Sequence, residues 1–147
     1  MHPVDKIESY DITGNGFPKK VEQVVRACHM NYLMYIDRLM HKEHMVRVYV
    51  SQKSSWRPTW WERSKGRSGL SEHTYGFLGA TDITCDLFTK NKHLLLEYLI
   101  KHTSYTRFAV YDGFIHADYK NEYDDAYAYK VVNGRWYRDY KIERVLV

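Results

Sequence analysis

The chain has 147 residues, 44% hydrophobic and 27% charged, enough apolar material for one domain with a core and too much for wholesale disorder. No apolar run approaches the roughly 20 residues that span a bilayer, and Met1-His2-Pro3-Val4-Asp5-Lys6 carries no signal-type apolar segment, so the expectation is no membrane insertion and synthesis in a cytoplasm, with delivery by other means. The net charge of +4 favours acidic partners such as nucleic acid, anionic lipid or an anionic wall polymer, or else it simply keeps the domain soluble.

Residues 1–18 read as irregular, broken by Gly14-Asn15-Gly16 and Pro18. A helix is predicted from about Lys19 to Met40, with Val21, Val24, Val25, Cys28, Tyr32, Ile36 and Leu39 as its apolar stripe. His41-Lys42-Glu43-His44 is read as its solvated end. Val46-Arg47-Val48-Tyr49-Val50 alternates as a strand does. Residues 51–72 form a long loop with Trp56, Trp60, Trp61 and Arg57, the composition of a substrate wall with an arginine to clamp a carboxylate. A second strand is expected at 80–85, with Ala80, Asp82 and Thr84 on one face and Thr81, Ile83 and Cys85 on the other.

Thr89 is the expected N-cap of a second helix, from Lys90 to about His102, carrying Leu95, Leu96, Leu99 and Ile100. Strands follow near 106–110 and 114–119. Tyr127–Val132 and Arg135–Tyr140 flank Asn133-Gly134, a strong hairpin signal. One α+β domain over residues 1–147 follows, an antiparallel sheet flanked by two main helices. The two cysteines, Cys28 and Cys85, lie far apart, which excludes a cysteine-based zinc site and suits two buried free thiols.

The chemistry concentrates in two segments, Ser71–Ile83 and Phe114–Tyr119. His73, Asp82 and His116 offer two imidazoles and one carboxylate, a donor set suited to zinc with a place left for water. One carboxylate cancels only part of the metal's charge, so a bound water ionises near neutral pH instead of at about 15.7. If the two predicted strands pair, Asp82 and His116 meet across the sheet, and His73 reaches in from the preceding loop.

The two segments resemble the zinc D-Ala-D-Ala peptidase family, which includes peptidoglycan carboxypeptidases and phage endolysins and shares its fold with the Hedgehog signalling domain. Ser71-Glu72-His73, Gly76, Ala80-Thr81-Asp82-Ile83 and Phe114-Ile115-His116-Ala117-Asp118 match the family pattern in order, and Ser55-Trp56-Arg57-Pro58 fits its upstream arginine loosely. The resemblance covers about residues 46–119. It implies zinc on His73, Asp82 and His116, with Arg57 and Ser71 binding substrate carboxylate or carbonyl oxygen. Two positions depart from the pattern. Asp82 stands nine residues after His73 where the family usually has seven, and Gly113 stands where many members carry an acid as general base. Asp112 is then the first choice of base. Asp118 is the second, or else the carboxylate that holds the His116 ring.

The expectation is a zinc metallopeptidase that cleaves peptidoglycan stem peptides: a phage endolysin or a virion-associated lysin. It would act at the bacterial cell wall, its substrate gripped by Arg57, Ser71, Trp56 and Trp60. Association with other virion proteins is compatible with it. The alternative is a catalytically inactive virion or structural protein that keeps the fold. A nucleic-acid binder is the weaker reading. Tyrosines among cations from Tyr119 to Tyr140 suggest it, and Asp118, Glu122, Asp124 and Asp125 interrupt the positive field.

Overall fold

Residues 2–3, 19–50, 63–64, 66 and 80–144 are described by a computed structural model of the chain. Helix α1 spans Lys19–His44, four residues past its predicted end. His41, Lys42 and His44 form an exposed last turn, where cations complement the carbonyl end of the helix. Met45, at φ 55, ends the helix. The core face is Leu33, Ile36 and Met40, with His29 and Asp37 buried beside them. Of the predicted stripe, Ile36 is buried and Tyr32 and Leu39 are half-buried, while the side chains of Val21, Val24, Val25 and Cys28 lie outside the described residues.

Strand β1 (His2–Pro3) is a two-residue edge piece, followed by β2 (Val48–Val50) and β3 (Ala80–Cys85). Helix α2 spans Phe88–His102. Leu87, at φ 50, takes the N-cap position in place of the predicted Thr89 and makes no side-chain cap bond. The side-chain amide of Asn91 instead donates to the Asp86 carbonyl at 2.9 Å. Strands β4 (Arg107–Val110), β5 (Ile115–Asp118), β6 (Tyr127–Val132) and β7 (Arg135–Lys141) complete the fold.

The strands form one mixed sheet in the order β1-β2-β3-β5-β4-β6-β7. It is not wholly antiparallel as expected, because β4 and β6 run parallel. The reason is topological. β5 ends beside the start of β4, and the short connection 119–126 lets the chain begin β6 at that same end. Tyr127 N donates to Thr106 O at 3.0 Å there. Asn133 and Gly134, at φ 51 and 76, make the tight turn between β6 and β7.

Val48, Val50, Ile83, Cys85, Phe108, Ile115 and Ala117 pack against Leu33, Ile36, Met40, Leu95, Leu96 and Leu99 of the two helices. Burial, with help from nearby Asp86, pushes the Cys85 thiol up to about 11, so it stays a protonated packing group. Among the described residues, no helix is long and apolar enough to cross a membrane.

Candidate metal centre

β3 and β5 pair antiparallel, with Asp82 directly opposite His116. Directly opposed residues share a sheet face with Cβ atoms about 4.5–5.5 Å apart, so the two side chains are obliged to meet. Ile83 and Ile115, one position along, point into the helix-covered core. Asp82 and His116 therefore stand on the other face. His116 Nδ1 lies 3.3 Å from Asp82 Oδ1, and the two side chains are only 7% and 13% exposed. Bonds of about 2.0–2.1 Å at tetrahedral angles put two zinc ligands about 3.3–3.4 Å apart. The separation matches that of two donors on one zinc ion and equally that of a direct histidine–aspartate ion pair.

The far edge of the ring is already engaged. His116 Nε2 is 2.7 Å from Asp118 Oδ2. Arg107 holds that carboxylate with a fork: Nε donates to both oxygens at 3.1 Å, and Nη2 to Oδ2 at 2.6 Å. Lys120 N adds a bond to Oδ1 at 3.0 Å. Trp136 of β7 covers the assembly. The Arg107 guanidinium lies 4.6 Å from the Trp136 ring centre, and the His116 ring 5.2 Å. Trp136 Nε1 donates to the Tyr111 hydroxyl at 2.8 Å.

The electrostatics follow from these partners. Burial alone would lower His116, but hydrogen bonds to Asp118 and Asp82 outweigh it and raise the ring to about 9. Burial would raise Asp118, yet His116 and Arg107 together hold it below the usual carboxylate range.

His73 lies outside the described residues, as do Arg57, Ser71, Trp56 and Trp60. Of the expected ligand set, Asp82 and His116 meet, and no third metal donor joins them among the described residues. Asp118 sits in the ring-holding place. Buried and gripped by Arg107, with its charged form favoured, it is a poor proton acceptor. Asp112 is exposed at the β4–β5 turn. It lines a cavity of about 330 Å³ with Lys92, His93 and Leu96 of α2, and neither Asp82 nor His116 reaches that cavity. The structure thus does not bring the first-choice base to the donor pair.

Arg107 and Trp136 escaped the sequence reading. For Arg107 a signal existed: a two-residue turn at Asp112-Gly113 sets it opposite Asp118, and the two are cross-strand partners. For Trp136 no local pattern pointed to His116, since β7 is three places from β5 in the sheet.

Comparison with family models, with curated proteins and with solved structures finds no match for this chain.

Proposed function

We propose that the protein is a zinc-dependent peptidase that cleaves the short, carboxylate-bearing stem peptides of peptidoglycan, as a phage endolysin or virion-associated lysin does. The observation that carries this reading is the 3.3 Å separation of His116 Nδ1 and Asp82 Oδ1, with the other ring nitrogen committed to Asp118. A histidine ligand normally gives its second nitrogen to a carboxylate in this way. The resemblance of Ser71–Ile83 and Phe114–Asp118 to the zinc D-Ala-D-Ala peptidases supports the same reading, as does the Hedgehog-like fold it implies.

His116 and Asp82 would hold the ion, with His73 as the third ligand. When bound, zinc acidifies a water and polarises the scissile carbonyl. Arg57, Ser71, Trp56 and Trp60 would grip the peptide.

One observation favours a second reading, a metal-binding structural protein without hydrolysis. Asp112 faces the α2 side, Asp118 is held as a carboxylate by Arg107, and position 113 is glycine. A proton acceptor close to the donor pair is therefore not supplied by either candidate.

The test is metal content together with lysis of purified cell walls, on wild type, His73→Ala and Asp82→Ala. One zinc per chain with lysis, both lost in the variants, is the expected result. Absence of zinc from the wild type overturns the peptidase. Stoichiometric zinc without lysis selects the structural reading.

A further inference from the structure

We infer that Arg107, seated under Trp136, is a positioning residue for the metal: through Asp118 it fixes which nitrogen of His116 faces the ion. The inference rests on the zinc reading above and adds to it a pair of residues that lie outside the donor set.

An ionised carboxylate accepts hydrogen bonds and gives none. Asp118 Oδ2, 2.7 Å from His116 Nε2, therefore requires a proton on that nitrogen. Nδ1 also faces a carboxylate, Asp82 at 3.3 Å, and its proton is the one a metal would replace, because Asp118 keeps the proton on Nε2. The tautomer that a metal needs is thus selected from behind the ring.

Asp118 can do this only while its own orientation is fixed. Arg107 supplies three N–H contacts, two shared by Nε and one from Nη2, and Lys120 N supplies a fourth. The planar guanidinium fork matches both carboxylate oxygens at once, which an ammonium does not. Trp136 stacks on the guanidinium and abuts His116, so the pair works in a water-poor setting where such bonds are stronger. The Asp118 side chain is 1% exposed and that of Arg107 13%. The register makes the arrangement compulsory. Arg107 opposes Asp118 on β4, Asp118 lies two residues from His116 on β5, and His116 opposes Asp82 on β3.

The experiment is zinc titration of the metal-free full chain against a chromophoric chelator, paired with nitrogen-15 spectra of the His116 ring in zinc-loaded protein. The variants are Asp118→Asn, Arg107→Lys and, as a control, Arg138→Gln, whose guanidinium sits over Tyr127 instead. Circular dichroism confirms folding of each at the temperature used. Asp118→Asn should weaken zinc binding by about 10–100-fold and Arg107→Lys by about 10-fold, both with mixed ring tautomers, while Arg138→Gln binds as wild type does. If Asp118→Asn fails to fold, Arg107→Lys, which keeps the charge and loses the fork, carries the test. Folded variants with unchanged zinc affinity and a single Nε2-protonated ring overturn the inference and leave the zinc reading standing. A wild type that takes up no zinc overturns the zinc reading and the inference with it.

Discussion

Asp37 and Asp118 are both buried, and each is gripped by two nitrogens of one arginine. Arg47 holds Asp37 through Nε at 3.1 Å and Nη2 at 2.9 Å. Arg107 holds Asp118 with the same fork. The pairs differ in what else the carboxylate accepts. Asp37 takes Val48 N at 2.9 Å, so it fastens α1 to the start of β2. Asp118 takes His116 Nε2, so it fastens an imidazole on the face turned away from the helices. Both carboxylates accept a backbone N–H, Asp118 from Lys120, but only Asp118 also holds an imidazole. The remaining partners of a buried carboxylate, not its arginine, show what it is for.

The comparison is broken most directly at Arg47. Arg47→Met leaves Asp37 buried without its cation, an expected loss of about 3–5 kcal/mol. For a domain of this size that is a fall in melting temperature of roughly 10–20 °C. Asp37→Asn should cost less, because Arg47 is 37% exposed and can turn to water. Urea unfolding with chelator present measures both. Zinc affinity of the folded fraction should be unchanged in either variant. A loss like that expected for Arg107→Lys would erase the distinction between the two pairs.

A third buried polar cluster, in which the described residues include no carboxylate, sharpens the contrast. His29 Nδ1 is 2.6 Å from the Tyr105 hydroxyl and 2.9 Å from Thr81 Oγ1, on the helix-covered side of β3. Tyr105→Phe should cost about 1–3 kcal/mol by the same unfolding measurement, with zinc binding intact, because the loss is one buried neutral hydrogen-bonding group. Trp136→Phe keeps a ring over Arg107 and loses the bond to the Tyr111 hydroxyl. About 1 kcal/mol of stability should go, and zinc binding should weaken less than in Asp118→Asn. A zinc loss as large as that of Asp118→Asn would mean that Trp136, and not the arginine fork, sets the ring.

Much of this arrangement was legible. Alternation along Ala80–Cys85 put Asp82 opposite the core face, and pairing of the two short segments brought it to His116. Asp112-Gly113 is a two-residue turn, with Tyr111 N donating to Phe114 O at 2.9 Å. Counting back from it aligns Ala109 with His116 and Arg107 with Asp118. What stayed hidden depends on long-range order. The parallel β4–β6 pairing is set by where the 119–126 connection crosses, and that crossing alone carries Trp136 over His116. The Leu87 cap was hidden for another reason: Thr89 has the better capping side chain, yet the left-handed turn at Leu87 and the Asn91 bond to Asp86 start α2 earlier.

The smallest expected effect on folding falls at Gly113, where it tests the chemistry instead. Thr84 Oγ1 donates to the Gly113 carbonyl at 2.8 Å, which ties the turn to β3 two residues beyond Asp82 on the same face. A Cβ at Gly113 would meet nothing within 4 Å, and its backbone is not left-handed. Gly113→Glu should therefore change stability by no more than about 0.5 kcal/mol, as an ordinary surface substitution does. Its carboxylate would stand at the end of the turn that abuts Thr84, where many zinc D-Ala-D-Ala peptidases carry their base. A general base contributes on the order of 100-fold or more to hydrolysis. If neither Asp112 nor Asp118 serves as one, wall lysis by Gly113→Glu should exceed that of wild type by that factor, and Asp112→Asn should leave wild-type lysis unchanged. If Asp112→Asn abolishes lysis and Gly113→Glu adds nothing, the exposed turn must bring Asp112 to the donor pair during turnover, and the contrast between a fixed Asp118 and a remote Asp112 fails.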